Sequence, residues 1–164
     1  MKATTLQELY VNELRDLYSA ETQITEALPK MAKAASHDHL KKAFQDHLAQ
    51  TQAHVERLDV IFSNLGVSPK GKTCKGMKGL LAEGEEMIKD TDSATRDAGL
   101  ISAAQRVEHY EIAGYGCVRT YAQMLGFTDA VDLLQKTLDE EGKADKKLTS
   151  LAEEVCNIEA ERAG

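Results

Sequence analysis

The 164-residue chain carries 20 Lys and Arg against 27 Asp and Glu, a formal charge of −7, with two prolines and 5% aromatic residues. This acidic balance, with its basic residues scattered, excludes a wrap of nucleic acid or an anionic membrane surface, because either partner needs a concentrated basic patch. The length suits one domain, residues 1–164, that buries a core without disulfide or zinc staples, and the abundance of Ala, Leu, Glu and Lys predicts an all-α fold.

The first helix is expected over Thr5 to Ala35, where Leu6, Tyr10, Leu14, Leu17, Ile24, Leu28 and Met31 alternate at three and four residues and form one apolar stripe. Pro29 removes one backbone bond inside it, which predicts a kink near Thr25 to Pro29. Ser36, His37 and Asp38 offer caps for a second helix, whose stripe runs Leu40, Phe44, Leu58, Ile61 and Leu65 before Gly66 stops it. The stretch GVSPKGKTCKGMKG reads as a loop, and Leu80, Leu81, Met87 and Ile88 as a short connector helix ended by the polar run Lys89 to Ser93.

From Ala94 the stripe resumes as Ile101, Ala104, Val118, Ala122 and Leu125, and Gly126 closes this third long helix. Thr128 or Asp129 is expected to cap the fourth, striped by Val131, Leu134, Leu138, Leu148, Ala152 and Val155. The tight junctions make two antiparallel hairpins, residues 5–65 and 94–162, and the long segment 66–93 allows a crossover between them. The expected architecture is therefore a ferritin-like antiparallel four-helix bundle whose crossover holds a short connector helix.

Ionisable residues fill the positions where each stripe breaks. They are Glu21 in the first helix, His47 and His54 with Gln50 beside them in the second, Glu108 and Glu111 in the third, and Glu141 and Asp145 in the fourth. Residues equally far from a hairpin turn lie at one height, and this places Glu21 between Gln50 and His54 and sets Glu108 and Glu111 level with Glu141 and Asp145. Several carboxylates buried together repel and lose hydration unless a positive charge lies among them. Two metal ions supply that charge, and carboxylate oxygen with imidazole suits iron or manganese.

A lone Glu on a seam is more often a snorkelling surface residue, but five carboxylates at matched heights are not. The competing arrangement is a metal-free bundle whose acids pair with Lys, Arg or shared protons. His47, one turn away, is expected beside the site rather than in it; His37, His39 and His109 are expected at the surface or in caps; Tyr18 and Tyr115, within one turn of the acids, are expected to fill core, with hydrogen bonds to the ligands as the alternative. Gly114 and Gly116 allow close helix approach or a π-bulge. Relief of repulsion predicts that metal-free Glu141→Gln melts no lower than the metal-free parent.

The stretches ELYVNELRDLYSAETQITEALPKMAKAA, DHLAQTQAHVERLDVIF, AAQRVEHYEIAGYG and TLDEEGKADKKLTSLA resemble the YciE/YciF-type stress-protein family of the ferritin-like superfamily, over nearly the whole chain. The resemblance implies a dimeric, rubrerythrin-like bundle associated with stress responses and ferroxidase activity. Its site pattern maps onto Glu21, Glu108 with Glu111, and Glu141 with Asp145. Two departures stand out: Thr51-x-x-His54 and Glu141-x-x-Ala144 replace E-x-x-H, and Gln50 stands where relatives often carry Glu.

Two functions follow as expectations. In the first, two iron or manganese ions between the hairpins react with dioxygen or hydrogen peroxide, as a ferroxidase or a manganese catalase does. In the second, a structural or interaction protein keeps the fold without the chemistry. A miniferritin that coats DNA lacks support in the acid balance and in the absence of a basic tail. A homodimer is expected from the resemblance and from the lack of a further helix after the fourth.

Cys74, Cys117 and Cys156 have no C-x-x-C spacing and suit a reducing cytoplasm. The opening MKATTLQELYVNELRD puts acids and amides where a signal peptide needs an apolar run, and no stretch reaches membrane-spanning length.

Overall fold

A computed structural model of the chain describes residues 3–163. Helix α1 spans Leu6–Ala34, and its start follows from a capping box in which Glu8 N donates to Thr5 Oγ1 at 3.1 Å and Thr5 N donates to Glu8 Oε2 at 3.1 Å. Such a cap is worth about 1 kcal/mol. The helix runs unbroken through Pro29, which lies exposed on its solvent side, so the proline does not end it.

Helix α2 spans Asp38–Leu65 and ends at Gly66, whose φ of 67° is the left-handed conformation a helix C-terminus needs. Helix α3 spans Lys75–Asp90 and starts well before the expected connector, inside the glycine-rich stretch read as loop. Cys74 caps it: Met77 N donates to the buried thiol sulfur at 3.4 Å. Gly76 is there for packing rather than for a turn, since a Cβ on it would lie 2.7 Å from Tyr110.

Helix α4 spans Arg96–Met124, and Gly126, at φ 78°, turns the chain into α5, Thr128–Leu151. The expected side-chain cap from Thr128 or Asp129 is not formed. Phe127 holds the cap position instead, its ring stacked on Tyr10 at 5.8 Å, so packing rather than a hydrogen bond fixes this start. Beyond α5 the backbone stays helical, widening to a π segment at Ala152–Cys156 before the short α6, Asn157–Arg162. The π turn thus lies here and not at Gly114 or Gly116. Gly114 serves close approach, since a Cβ there would lie 2.8 Å from the Leu17 side chain, whereas nothing crowds Gly116.

The two hairpins α1–α2 and α4–α5 pack with α1 against α4 and α2 against α5, and α3 lies on the outside of α1 and α4. Leu17 lies at Gly114 while the end of α1 reaches Asp97, and Asp46 meets Lys147 while Arg57 meets Thr137, so these two cross-hairpin pairs are also antiparallel. The chain therefore must travel the bundle's length between α2 and α4, and α3 carries it there. Two apolar clusters result. One, near the α1–α2 turn, holds Leu28, Leu40, Phe44, Leu100 and Leu148; the other, near the α4–α5 turn, holds Tyr10, Leu14, Leu58, Phe62 and Leu134. The ionisable positions fall between them. Among the described residues no helix is long and apolar enough to cross a membrane, and all three cysteines are free.

Asp97, in the first turn of α4, is buried and fastens the α1–α2 turn: its carboxylate accepts from Ser36 N at 2.8 Å and from His37 N at 2.7 Å. Hydrogen bonds to a charged acceptor are worth about 1.5–3 kcal/mol, so Asp97→Ala is expected to lower the melting temperature by roughly 5 °C or more. Thermal melts followed by circular dichroism check this, and an unchanged midpoint contradicts it.

Candidate metal centre

Each long helix delivers its polar residue to the middle of the bundle because that residue continues the buried stripe of its own helix. Glu21, His54, Glu111 and Glu141 are 0% exposed, Glu108 is 2% exposed and His47 7%. They form two overlapping groups, His47 with Glu108, Glu111 and Glu141, and Glu21 with His54 and Glu141; the potential ligand atoms within each lie within 4.8 Å of one another. Glu141 belongs to both. His54 Nδ1 lies 2.9 Å from Glu141 Oε1 and 3.2 Å from Glu21 Oε1, and His47 Nε2 lies 3.2 Å from Glu108 Oε1.

These approaches lack hydrogen-bond alignment. Both oxygens of Glu111 and of Glu141, one oxygen each of Glu21 and Glu108, and the facing nitrogens of His47 and His54 have no hydrogen-bond partner. Tyr115, fully buried one turn beyond Glu111, donates from its hydroxyl to Glu21 Oε1. Thr51, where a diiron E-x-x-H motif would carry its Glu, leaves its buried hydroxyl without a partner.

Of the seven residues singled out from the sequence, Glu21, His54, Glu108, Glu111 and Glu141 meet here; Gln50 and Asp145 do not. Asp145 is turned toward the outer edge of the α4–α5 seam, where it accepts from Gln105 Nε2 at 3.1 Å and lies 3.3 Å from His109 Nε2. Four residues beyond Glu141 it is one turn higher and about 40° further round the helix, which is enough to leave the interior. Gln50 is exposed, with its side-chain oxygen 3.4 Å from His47 Nδ1. His47, expected beside the site, stands inside it.

Glu140 and Arg57 escaped the sequence reading altogether. Glu140 Oε2 lies 3.0 Å from His54 Nε2, and Arg57 grips Glu140 with both terminal nitrogens, at 2.7 and 3.0 Å, while reaching Thr137 Oγ1 at 2.9 Å. A carboxylate on Nε2 fixes the ring so that Nδ1 faces the interior, the arrangement that orients a metal-binding imidazole. The signal was Arg57 one turn from His54, but its use requires knowing that α2 packs on α5.

Burial drives the pKa pattern. It raises Glu108 and Glu111 well above the usual carboxylate range, and the neighbouring charges of Glu141 and Glu21 push the same way. Burial also opposes charge on His54 and Glu141, but their mutual contact outweighs it, together with Glu21 on the His54 side: His54 is raised to about 10 and Glu141 is lowered. Without a metal, the lower-energy state holds protons on Glu108 and Glu111 and an ion pair between His54 and Glu141.

The donor set fits a hard divalent cation. Acceptor-only oxygens buried without donors are costly, and two imidazole nitrogens complete an oxygen and nitrogen set that a divalent metal ion accepts. The two overlapping groups share Glu141, and either could hold a metal ion.

Residues 5–161 match the family described as a domain of unknown function, DUF892. The chain is 45% identical over 163 residues to protein YciF of Escherichia coli K12, covering 98% of both chains. The crystal structure of that stress protein superposes with a TM-score of 0.88 at 44% identity, over 92% of this chain and 96% of the other. YcfI of Rhodopseudomonas palustris, described provisionally as a structural protein, superposes with a TM-score of 0.86 at 42% identity, over 90% and 94% of the two chains. At 19% identity, where only the fold is informative, a two-domain protein of Anabaena variabilis with a ferritin-like domain aligns at a TM-score of 0.64, over 94% of this chain and 38% of that one. This ferritin-like, all-helical chain belongs to the DUF892 family, alongside the stress protein YciF.

Proposed function

We propose that the chain binds two iron or manganese ions through Glu21, His47, His54, Glu108, Glu111 and Glu141, and acts as a cytoplasmic homodimer on Fe(II), dioxygen or hydrogen peroxide. The observation that carries this reading is Glu111: fully buried, both oxygens without partners, in a cluster of four carboxylates against two imidazoles. When bound, the metal pair supplies electrons to the oxidant.

The protein's own residues have definable tasks. Glu141, common to both groups, would be shared between the two ions. Glu140 and Arg57 hold the His54 ring, and Tyr115 holds one oxygen of Glu21. The two flanking apolar clusters bury the carboxylates in a low-dielectric band, which strengthens every electrostatic interaction within it. Light scattering tests the assembly: a mass of two chains is expected, and a shell-sized particle contradicts it.

One observation favours the non-catalytic alternative. The His54 and Glu141 pair lets a metal-free bundle stand, and YcfI carries a structural description. This pair also alters the expectation for substitution. Because His54 stabilises the charge of Glu141, the relief belongs to Glu111, which without metal must take up a proton on folding or bear the repulsion of its neighbours, and not to Glu141. Glu111→Gln is expected to weaken metal binding yet melt at an equal or higher temperature than parent when metal-free near neutral pH. Glu141→Gln is expected to lower both. Elemental analysis and chelated thermal melts decide, and a Glu111→Gln chain that binds metal normally and melts lower contradicts the reading.

The pH dependence has a fixed sign. Glu108 and Glu111 rise from 4.5, and His54 from 6.5 to about 10, so the folded state binds more protons than the unfolded one across that interval. Their contribution is complete below the unfolded values and is lost as pH rises through the folded ones. Chelated protein is therefore expected to melt progressively lower from about pH 6 to about pH 9, whereas metal-loaded protein gains over the lower part of that range because ligands must shed protons. Parallel curves with and without metal contradict this.

A further inference from the structure

Beside the carboxylate cluster, toward the α1–α2 turn, the bundle encloses a cavity of about 350 Å³ that reaches His47 and Glu108. Protein cores are packed like organic crystals, and apolar voids less than half this size, about 150 Å³, already take up small hydrocarbons. The space has a specific origin: Ala27, Ala43, Ala104 and Ala144, one from each of the four long helices, all line it. Its remaining wall is apolar, with Leu28, Met31, Phe44, Val107 and Leu148.

The opening differs in character. Its exposed lining residues are Gln50, Lys143 and Lys147, with half-exposed Asp46. Lys143 and Lys147 are one turn apart on α5. Asp46 pairs with Lys42 and lies 3.5 Å from Lys147, while Lys143 makes no ion pair among the described residues. An apolar chamber with ammonium groups at its mouth and acids at its inner end selects a molecule with one anionic head and an apolar tail.

We propose that this chamber binds a linear aliphatic carboxylate, its tail in the alanine-lined space and its head group paired with Lys143 and Lys147. The binding itself requires no metal. It rests on the proposed function in one respect only: the chamber reaches His47 and Glu108, so its occupant abuts the metal site.

Octanoate is the probe, titrated calorimetrically into chelated and into manganese-loaded protein, with octanol and octylamine as matched tails bearing neutral and cationic heads. Saturable octanoate binding is expected, weaker for octanol and weakest for octylamine. Ala104→Phe and, separately, Ala27→Leu fill the chamber from different helices, and each is expected to weaken octanoate binding by roughly tenfold or more. Lys143→Met with Lys147→Met is expected to remove the preference for octanoate over octanol. Manganese stoichiometry and melting temperature, measured on the same samples, show that a filled variant is folded.

Absence of saturable octanoate binding overturns the inference. So does octylamine binding as tightly as octanoate, or binding unchanged in both filled variants. Octanoate binding by a chain that takes up no manganese keeps this inference and removes the metal reading. Manganese uptake without octanoate binding does the reverse.

Discussion

Four buried carboxylates share one level of the bundle with only two imidazoles, and the rest of the structure is arranged around the cost of that charge. The acids come from α1, α4 and α5, whereas α2 supplies the groups that can oppose them: His47, His54 and Arg57. Apolar clusters above and below bury the band, which makes each unpaired oxygen more costly and a bound cation more valuable.

Holding that band together requires α1 and α4, from different hairpins, to approach closely. Gly114 against Leu17 sets the approach that lets Tyr115 reach Glu21. The crossover is fastened to the same seam. The Tyr110 hydroxyl donates to Asp16 at 2.7 Å and lies 2.9 Å from the Cys74 sulfur, so the cap of α3 is tied to α1 and α4 at once. Burial pushes the Cys74 thiol above its usual range, with Asp16 adding to it, which suits a structural rather than a reactive cysteine. Asp97 performs the equivalent task in the first turn of α4, across the α1–α2 turn.

The sequence made the four helices, their hairpins and five of the site residues legible, because a break in an otherwise regular apolar stripe is a local signal. What it could not supply was azimuth and the pairing of non-consecutive helices. Hairpin arithmetic gives height alone, so Asp145 passed at the height of the helix α4 acids although its side chain leaves toward Gln105 and His109. His47 looks peripheral from the sequence because its partners, Glu108 and Glu141, lie on the other hairpin. Glu140 and Arg57 meet only across the α2–α5 interface. The early start of α3 was hidden for a different reason: Gly76 resembles a loop residue, and only the tertiary position of Tyr110 reveals why no side chain fits there.

The central claim is that the charge of this cluster is completed by metal. Its most direct measurement is elemental analysis of protein purified without chelator, then loaded anaerobically with Fe(II) or Mn(II) and freed of excess. The account predicts two transition-metal ions per chain. Fewer than one ion per chain after loading contradicts it, and assigns the buried acids to protons and the His54–Glu141 pair.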